Sequence, residues 1–395
     1  MRDGNPVCVF SRGTAMTDHF RQAYDELKDF IAGHPEIEIG DSVIGIPESV
    51  RSEFYEKFNA ARTAFVEERF PDLLRRANTL AENYLGVQSK VADLLAFEDP
   101  QTAAGVRRFL DNPTASLSRE LFDPLFDLLR GRNDIDAFAD SVTKRIEELF
   151  PALFRGGYEK WVELSLMSLM NADKAFRVDV RQLYPGERAK SAAQAPLHEV
   201  PRPFESGSFL FTQPRDAIFA VPDFIVHSAR LNQCIGIRTD FKAGLYNALN
   251  PSHDRQWDPV NPQILRFLNS GLSLIYRSEQ PESIALVSDV GAFCRPDVIL
   301  WCVNPASLTQ NKAFENALLY DSCLKPLKGI YVIACGPWPN RDSQLPDPES
   351  EKLELLQQAG GDSERIHVLI VGFDSANLLP ILNDLMDIGN MATAT

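Results

Sequence analysis

Cysteine is scarce in this 395-residue chain, and none of it is spaced for a metal or a disulfide framework. The six residues, Cys8, Cys234, Cys294, Cys302, Cys323 and Cys335, form no CxxC pair, and five sit in or beside apolar runs such as 330 to 335. That excludes a zinc-finger pattern and predicts buried, reduced thiols. Long apolar runs are missing too. None approaches the roughly 20 residues needed to span a bilayer, and no basic, apolar leader opens the sequence. The expectation is a chain without membrane contact, in the cytoplasm. Neither GxGxxG nor GxxxxGK[ST] occurs, so no nucleotide-cofactor motif is present. Positive charge is the last scarcity: 40 Lys and Arg face 55 Asp and Glu, for a net charge of -15 and a pI near 4.9. Such a balance disfavours nucleic-acid binding by counterion release. The disfavour is weakest across residues 151 to 340, where acids and bases nearly cancel.

What is present is a large apolar inventory, 44% of residues with 25 Phe, on a chain long enough for roughly two or three domains. Residues 1–15 read as a loose N-terminal extension or a misplaced start, because Met16 opens a well-formed helix; intact mass of the native protein tests this. From 16 to 183 apolar residues recur at helical spacing, with Phe20, Tyr24, Leu27 and Ile31 in one stripe and Val50, Phe54, Phe58, Ala61 and Phe65 in another. Thr17 can cap the first helix and Gly33 can end it, Pro47 opens the second and Pro71 a third. Further helices are expected near 87–98, 101–111, 117–130, 134–149 and 156–172. No fixed period links them, so a solenoid is not indicated. The outer faces are solvated surface or a protein-binding surface.

Residues 184–207, rich in Pro, Ala and Ser, read as a linker. Beyond it, 208–395 changes grammar. Strand composition marks 208–212, 217–226, 234–239, 284–287, 298–303, 329–335 and 366–371, with helices near 311–326, 350–359 and 376–387. Alternation of strand and helix in the last part predicts parallel pairing through crossovers; the earlier strands, joined by short turns, predict an antiparallel or mixed portion of one sheet. The fold class is therefore α+β: an all-helical N-terminal domain followed by a mixed α/β sheet domain.

The chemistry concentrates at Pro222-Asp223 and Asp240-Phe241-Lys242. If 217–226 is a strand, Asp223 shares a face with Val221, Ile225 and His227, and extending the strand from Cys234 aligns Gly236, Arg238, Asp240 and Lys242 on one face. Two carboxylates on neighbouring strands can hold a hard divalent cation. A lysine beside them can position or deprotonate a water, or stabilise developing negative charge.

This segment resembles the PD-(D/E)xK nuclease superfamily, over about 100 residues. The resemblance implies a metal-dependent phosphodiesterase, a hydrolase of nucleic acid with Mg2+ as cofactor. Asp223 and Asp240 would be its metal ligands and Lys242 its catalytic lysine. A preceding helix often supplies an acid in that family, and Glu159 or Glu163 can play that part. In a second register, Gly236 and Arg238 stand where the acid and the lysine belong, which implies a degenerate, inactive relative. The competing expectation is a non-catalytic interaction or ligand-binding protein whose helical domain engages a partner.

Other candidates have simpler readings. Pro296-Asp297 repeats the Pro-Asp signal with no acid-x-Lys after it, as strand-edge or turn chemistry does. Ser252-His253-Asp254 sits in a turn, and adjacent residues alone make no triad. His227 is read as a satisfied strand histidine. The loops at 336–340 and 372–375 follow parallel-type strands, where open α/β sheets bind ligands, with Asp374 or Ser375 as the cap of the last helix.

Overall fold

The computed structural model describes residues 18–40, 44–177, 202–204, 207–210, 222–241, 272–279, 296–304, 308, 311–324, 326–336 and 364–392. The N-terminal extension, the strand expected at 284–287, the helix expected at 350–359, Ser252-His253-Asp254 and Lys242 lie outside them. The chain divides into two compact units, one of residues 1–81 and 108–154, the other of 82–107 and 155–395.

The elements in chain order are α1 (Asp18–Gly33), β1 (Glu38–Ile39), β2 (Ile44–Gly45), α2 (Glu48–Arg69), α3 (Pro71–Leu95), β3 (Phe97–Gln101), α4 (Ala104–Asp111), α5 (Pro113–Ser118), α6 (Phe122–Leu129) and α7 (Ile135–Leu169). The expected boundaries at Gly33, Pro47 and Pro71 hold. In the first unit the stripe residues Phe20, Phe54, Phe58 and Phe65 are buried. Phe20 meets Phe65 edge-on at 5.2 Å and stacks on Phe138 at 5.6 Å. Each such ring contributes roughly 1.5–3 kcal/mol by leaving water.

Two helices expected at 134–149 and 156–172 are instead the single α7, which carries Pro151 inside it. A proline costs a helix interior about 3 kcal/mol. Here the apolar stripe Phe138, Val142, Ile146, Phe150, Phe154 and Tyr158 runs through it at four-residue spacing and is buried throughout, which outweighs that cost. Residues from Arg155 onward count with the second unit.

That second unit is built on the sheet of β4 (Ala172–Arg177), β5 (Arg202–Pro203), β7 (Phe224–Ser228), β8 (Gln233–Phe241), β9 (Leu272–Ser278), β10 (Val298–Val303), β11 (Ile330–Ala334) and β12 (Ile366–Ile370), with α8 (Asn311–Leu324) and α9 (Leu379–Ala392); β6 (Gly207–Leu210) pairs with β3 apart from it. The order is β12-β11-β10-β9-β8-β7-β4-β5. As the sequence grammar predicts, β10, β11 and β12 are parallel, and β9, β8, β7 and β4 join them antiparallel. Every residue of β10 and β11 is buried, as a strand covered on both faces requires. One face carries Ile299, Trp301, Leu274 and Val332 against Phe314, Ala317 and Tyr320 of α8. On β11, Tyr331 donates its hydroxyl to Asp384 of α9 at 2.6 Å. Gly329 lets the start of β11 lie tightly against the residue that precedes β12: at φ +101° it leaves room for the Arg365 carbonyl, which a Cβ would meet at 2.1 Å.

Strands β4 and β9 are not among those expected. Among the described side chains of β4 only Ala172 and Ala175 are deeply buried, so pairing with β7 rather than apolar alternation makes it a strand. Asp374, expected as a cap, accepts the N–H of Ala376 at 3.0 Å at the turn leading into α9.

Candidate functional site

Strand directions bring one set of ends together. The start of β7, the end of β8, the start of β9 and the C-terminal ends of β10, β11 and β12 share one edge of the sheet, as the pairings dictate. Ligands of open α/β sheets gather at that kind of edge. Above it lies α7, whose residues 157–167 are all buried. Tyr158 donates to the carbonyl of Gly372 at 2.9 Å, and Trp161 meets Phe373 edge-on at 5.4 Å. Burial, and then the neighbouring Cys335 and Cys302, hold the Tyr158 hydroxyl protonated far above its usual range.

Within this buried turn of α7 stand Glu159, Lys160 and Glu163. Lys160 Nζ lies 3.0 Å from Glu163 Oε2, and Ser273 of β9 donates to Glu163 Oε1 at 2.8 Å. Neighbours of Ser273 in β9, Leu272 and Leu274, belong to the α8 face, so strand alternation delivers the hydroxyl to the α7 side. Glu159 faces Arg155 at 3.6 Å.

Asp223 sits at the foot of β7, 2% exposed. Its N–H donates to the carbonyl of Ile237 at 2.9 Å, placing it across from Arg238. Arg238 Nη1 donates to Asp223 Oδ1, while Oδ2 accepts the N–H of Thr239 at 2.7 Å and its hydroxyl at 2.9 Å. Burial raises the Asp223 carboxyl above the ordinary aspartate range; Arg238, both Thr239 donors and Lys160 oppose that rise. Burial likewise raises Glu163, against Lys160 and Ser273, and the Asp223 charge adds to the rise. Lys160 opposes the rise at both carboxyls. A bare pair of buried acids would be expensive; Lys160 and Arg238 make it tolerable.

Of the residues singled out in the sequence, the fold buries Glu163 in α7 against Ser273 and Asp223 at the start of β7, and sets Arg238, not Asp240, opposite Asp223. Strand β8 includes Asp240 in its backbone, with a register shift between Arg238 and Phe241; the side chains of Asp240 and Lys242 lie outside the described residues. His227 is bound to Asp173 at 2.6 Å. Lys160, Thr239 and Ser273 carried no motif. Their one legible signal is two charges at i, i+3 in a helix segment otherwise composed of Tyr158, Trp161, Val162 and Leu164.

A hard cation favours carboxylate oxygens, and Asp223 and Glu163 supply them. Those oxygens are already engaged by Arg238, Thr239, Lys160 and Ser273. Among the described residues no group of three or more His, Cys, Asp or Glu is placed to hold a metal ion. The arrangement around Asp223 does not fit a divalent cation without displacing Arg238. Among the described residues, too, no helix is long and apolar enough to cross a membrane. No protein-family model, no curated protein and no solved structure gives a significant match to the chain.

Proposed function

We propose that the chain is a non-catalytic relative of the PD-(D/E)xK nucleases, acting in the cytoplasm as an interaction or ligand-binding protein whose helical unit engages a partner. One observation carries this reading. The acid that would hold the metal, Asp223, is bound by Arg238 from the facing strand position and filled on its second oxygen by Thr239. An acidic net charge makes a protein partner a better match than nucleic acid.

A second reading has its own support. Glu163 from the helix and Asp223 from the strand converge at the edge where such sheets work, which favours a Mg2+-dependent phosphodiesterase using Asp223, Asp240 and Lys242. One assay separates the two: the full chain incubated with labelled single- and double-stranded DNA and RNA in Mg2+ or Mn2+. The non-catalytic reading expects no metal-dependent cleavage above that of Asp240→Asn. Cleavage that needs the metal and disappears in Asp240→Asn establishes the enzyme instead.

A further inference from the structure

We infer that the face of the helical unit carrying Arg62, Arg119 and Phe122 is its partner surface, and that the partner presents a protein segment with carboxylates beside an aromatic or aliphatic side chain. This rests on the reading in which the helical unit engages a partner, and deepens it by naming the surface and the chemistry.

Local structure sets the three residues together. Arg62 lies on α2, one turn beyond Phe58, while Arg119 opens the short 3-10 turn Arg119–Leu121 between α5 and α6, and Phe122 opens α6. Arg62 Nη1 donates to the Ser118 carbonyl at 3.4 Å, which puts its guanidinium beside the peptide that begins Arg119; Nη2 donates to Asn59 Oδ1. The guanidinium also covers two rings, with Cζ 5.2 Å from the centre of Phe58 and 5.5 Å from that of Phe122. Those rings are held in turn. Phe122 meets Phe58 edge-on at 5.4 Å and Phe126 at 5.2 Å. Stacking and hydrogen bonds therefore orient Arg62 before any partner arrives, which lowers the ordering cost of binding.

Charge decides what fits there. Both acceptors of Arg62, a carbonyl and an amide, are neutral, and among the described residues neither Arg62 nor Arg119 forms an ion pair with a carboxylate. Of the acids beside Arg119 in sequence, Glu120 faces Arg145 at 3.9 Å, and Asp123 pairs with neither arginine. Burial, and then the Arg119 charge, lower the Arg62 guanidinium from the usual arginine range, a cost that an incoming anion offsets. Arg119 is exposed, and Phe122 keeps 37% of its surface in water. Planar guanidinium groups take carboxylates through paired hydrogen bonds, and the ring beside them takes an apolar side chain. Nucleic acid fits less well. Two cations neutralise too few phosphates to hold a polyanion against a net charge of -15.

The test is a random dodecapeptide library selected on the immobilised full chain, with fluorescence anisotropy of the synthesised winners in solution. The winners should carry Asp or Glu on either side of an aromatic or aliphatic residue. Their affinity should fall at least tenfold for Arg119→Glu, and at least tenfold when their Asp and Glu are changed to Asn and Gln. It should stay within about twofold for Arg75→Glu, an exposed arginine of the same unit that pairs with Asp72. Thermal unfolding checks that Arg119→Glu is folded; should it not be, Arg119→Gln is read in the same way. A selection without acidic winners, winners that bind the Arg119 variants as tightly as the native chain, or a single-stranded oligonucleotide that binds more tightly than the winners and is lost in Arg119→Glu each overturn the inference. The cleavage assay fails or succeeds separately: a native chain without cleavage whose peptides ignore Arg119 keeps the non-catalytic reading and loses this surface.

Discussion

Asp223 and Asp297 begin their strands with the same pair of backbone contacts. Asp223 donates its N–H to Ile237 and accepts the N–H of Thr239, two residues on; Asp297 donates to Ile275 and accepts the N–H of Arg277, again two residues on. In each case the accepting carbonyl belongs to the residue paired with the one after the aspartate. Pro-Asp is thus a device for starting an inner strand, with proline where no ladder donor is needed and the carboxylate covering a neighbouring N–H. The two aspartates start their strands at opposite edges of the sheet, as the strand directions require. What separates them is the charge around Asp223: Arg238 in front and Lys160 with Glu163 above.

Asp297→Ala should therefore cost stability and nothing else. Losing a carboxylate bond to the part-buried Arg277 N–H costs about 1–3 kcal/mol. Urea unfolding should show a loss of that size.

Asp223 and Arg238 should be strongly coupled. Asp223→Leu leaves a buried guanidinium and should cost about 3–5 kcal/mol, as should Arg238→Met, which strands the carboxylate. The double variant should cost less than the two losses together by about 0.5–3 kcal/mol. Unfolding free energies of the four proteins close the cycle; simple additivity would mean that the pair is not a unit.

The parallel strands were legible because each buries both faces, so that Val298-Ile-Leu-Trp-Cys-Val303 reads as one apolar run. Strand β4 was not, because Ala172-Asp-Lys-Ala-Phe-Arg177 has the composition of a helix end and becomes a strand only against β7. The continuity of α7 was hidden by Pro151, whose local preference loses to the stripe on either side. At the site, Asp223 was found from Pro-Asp, and Glu163 from the expectation of a helix acid. The Arg238 contact required the register of β7 on β8, which one residue of slip would change entirely. Lys160 had no motif at all: a lysine in a helix becomes informative only when the helix is found buried on all sides.

Glu163 should set a pH dependence of stability. Burial, the leading cause, raises its carboxyl above the unfolded value. A raised carboxyl favours the folded state below the unfolded pKa, and that advantage is lost as pH rises through the folded one. E163Q carries no such proton. Its stability relative to the native chain should therefore improve as pH rises from about 4 toward about 7, measured by urea unfolding across that range; a gap that widens against E163Q over those pH values would reverse the sign assigned here.

The central claim, that Asp223 is held by the chain's own arginine rather than awaiting a metal, is tested most directly by nuclear magnetic resonance of the arginine guanidinium groups during titration with Mg2+. Arg238 should give resolved, slowly rotating Nη signals that vanish in Asp223→Asn and stay in place through millimolar Mg2+. Signals from Arg238 that shift or exchange as Mg2+ is added, with Asp223 passing to the cation, would contradict it.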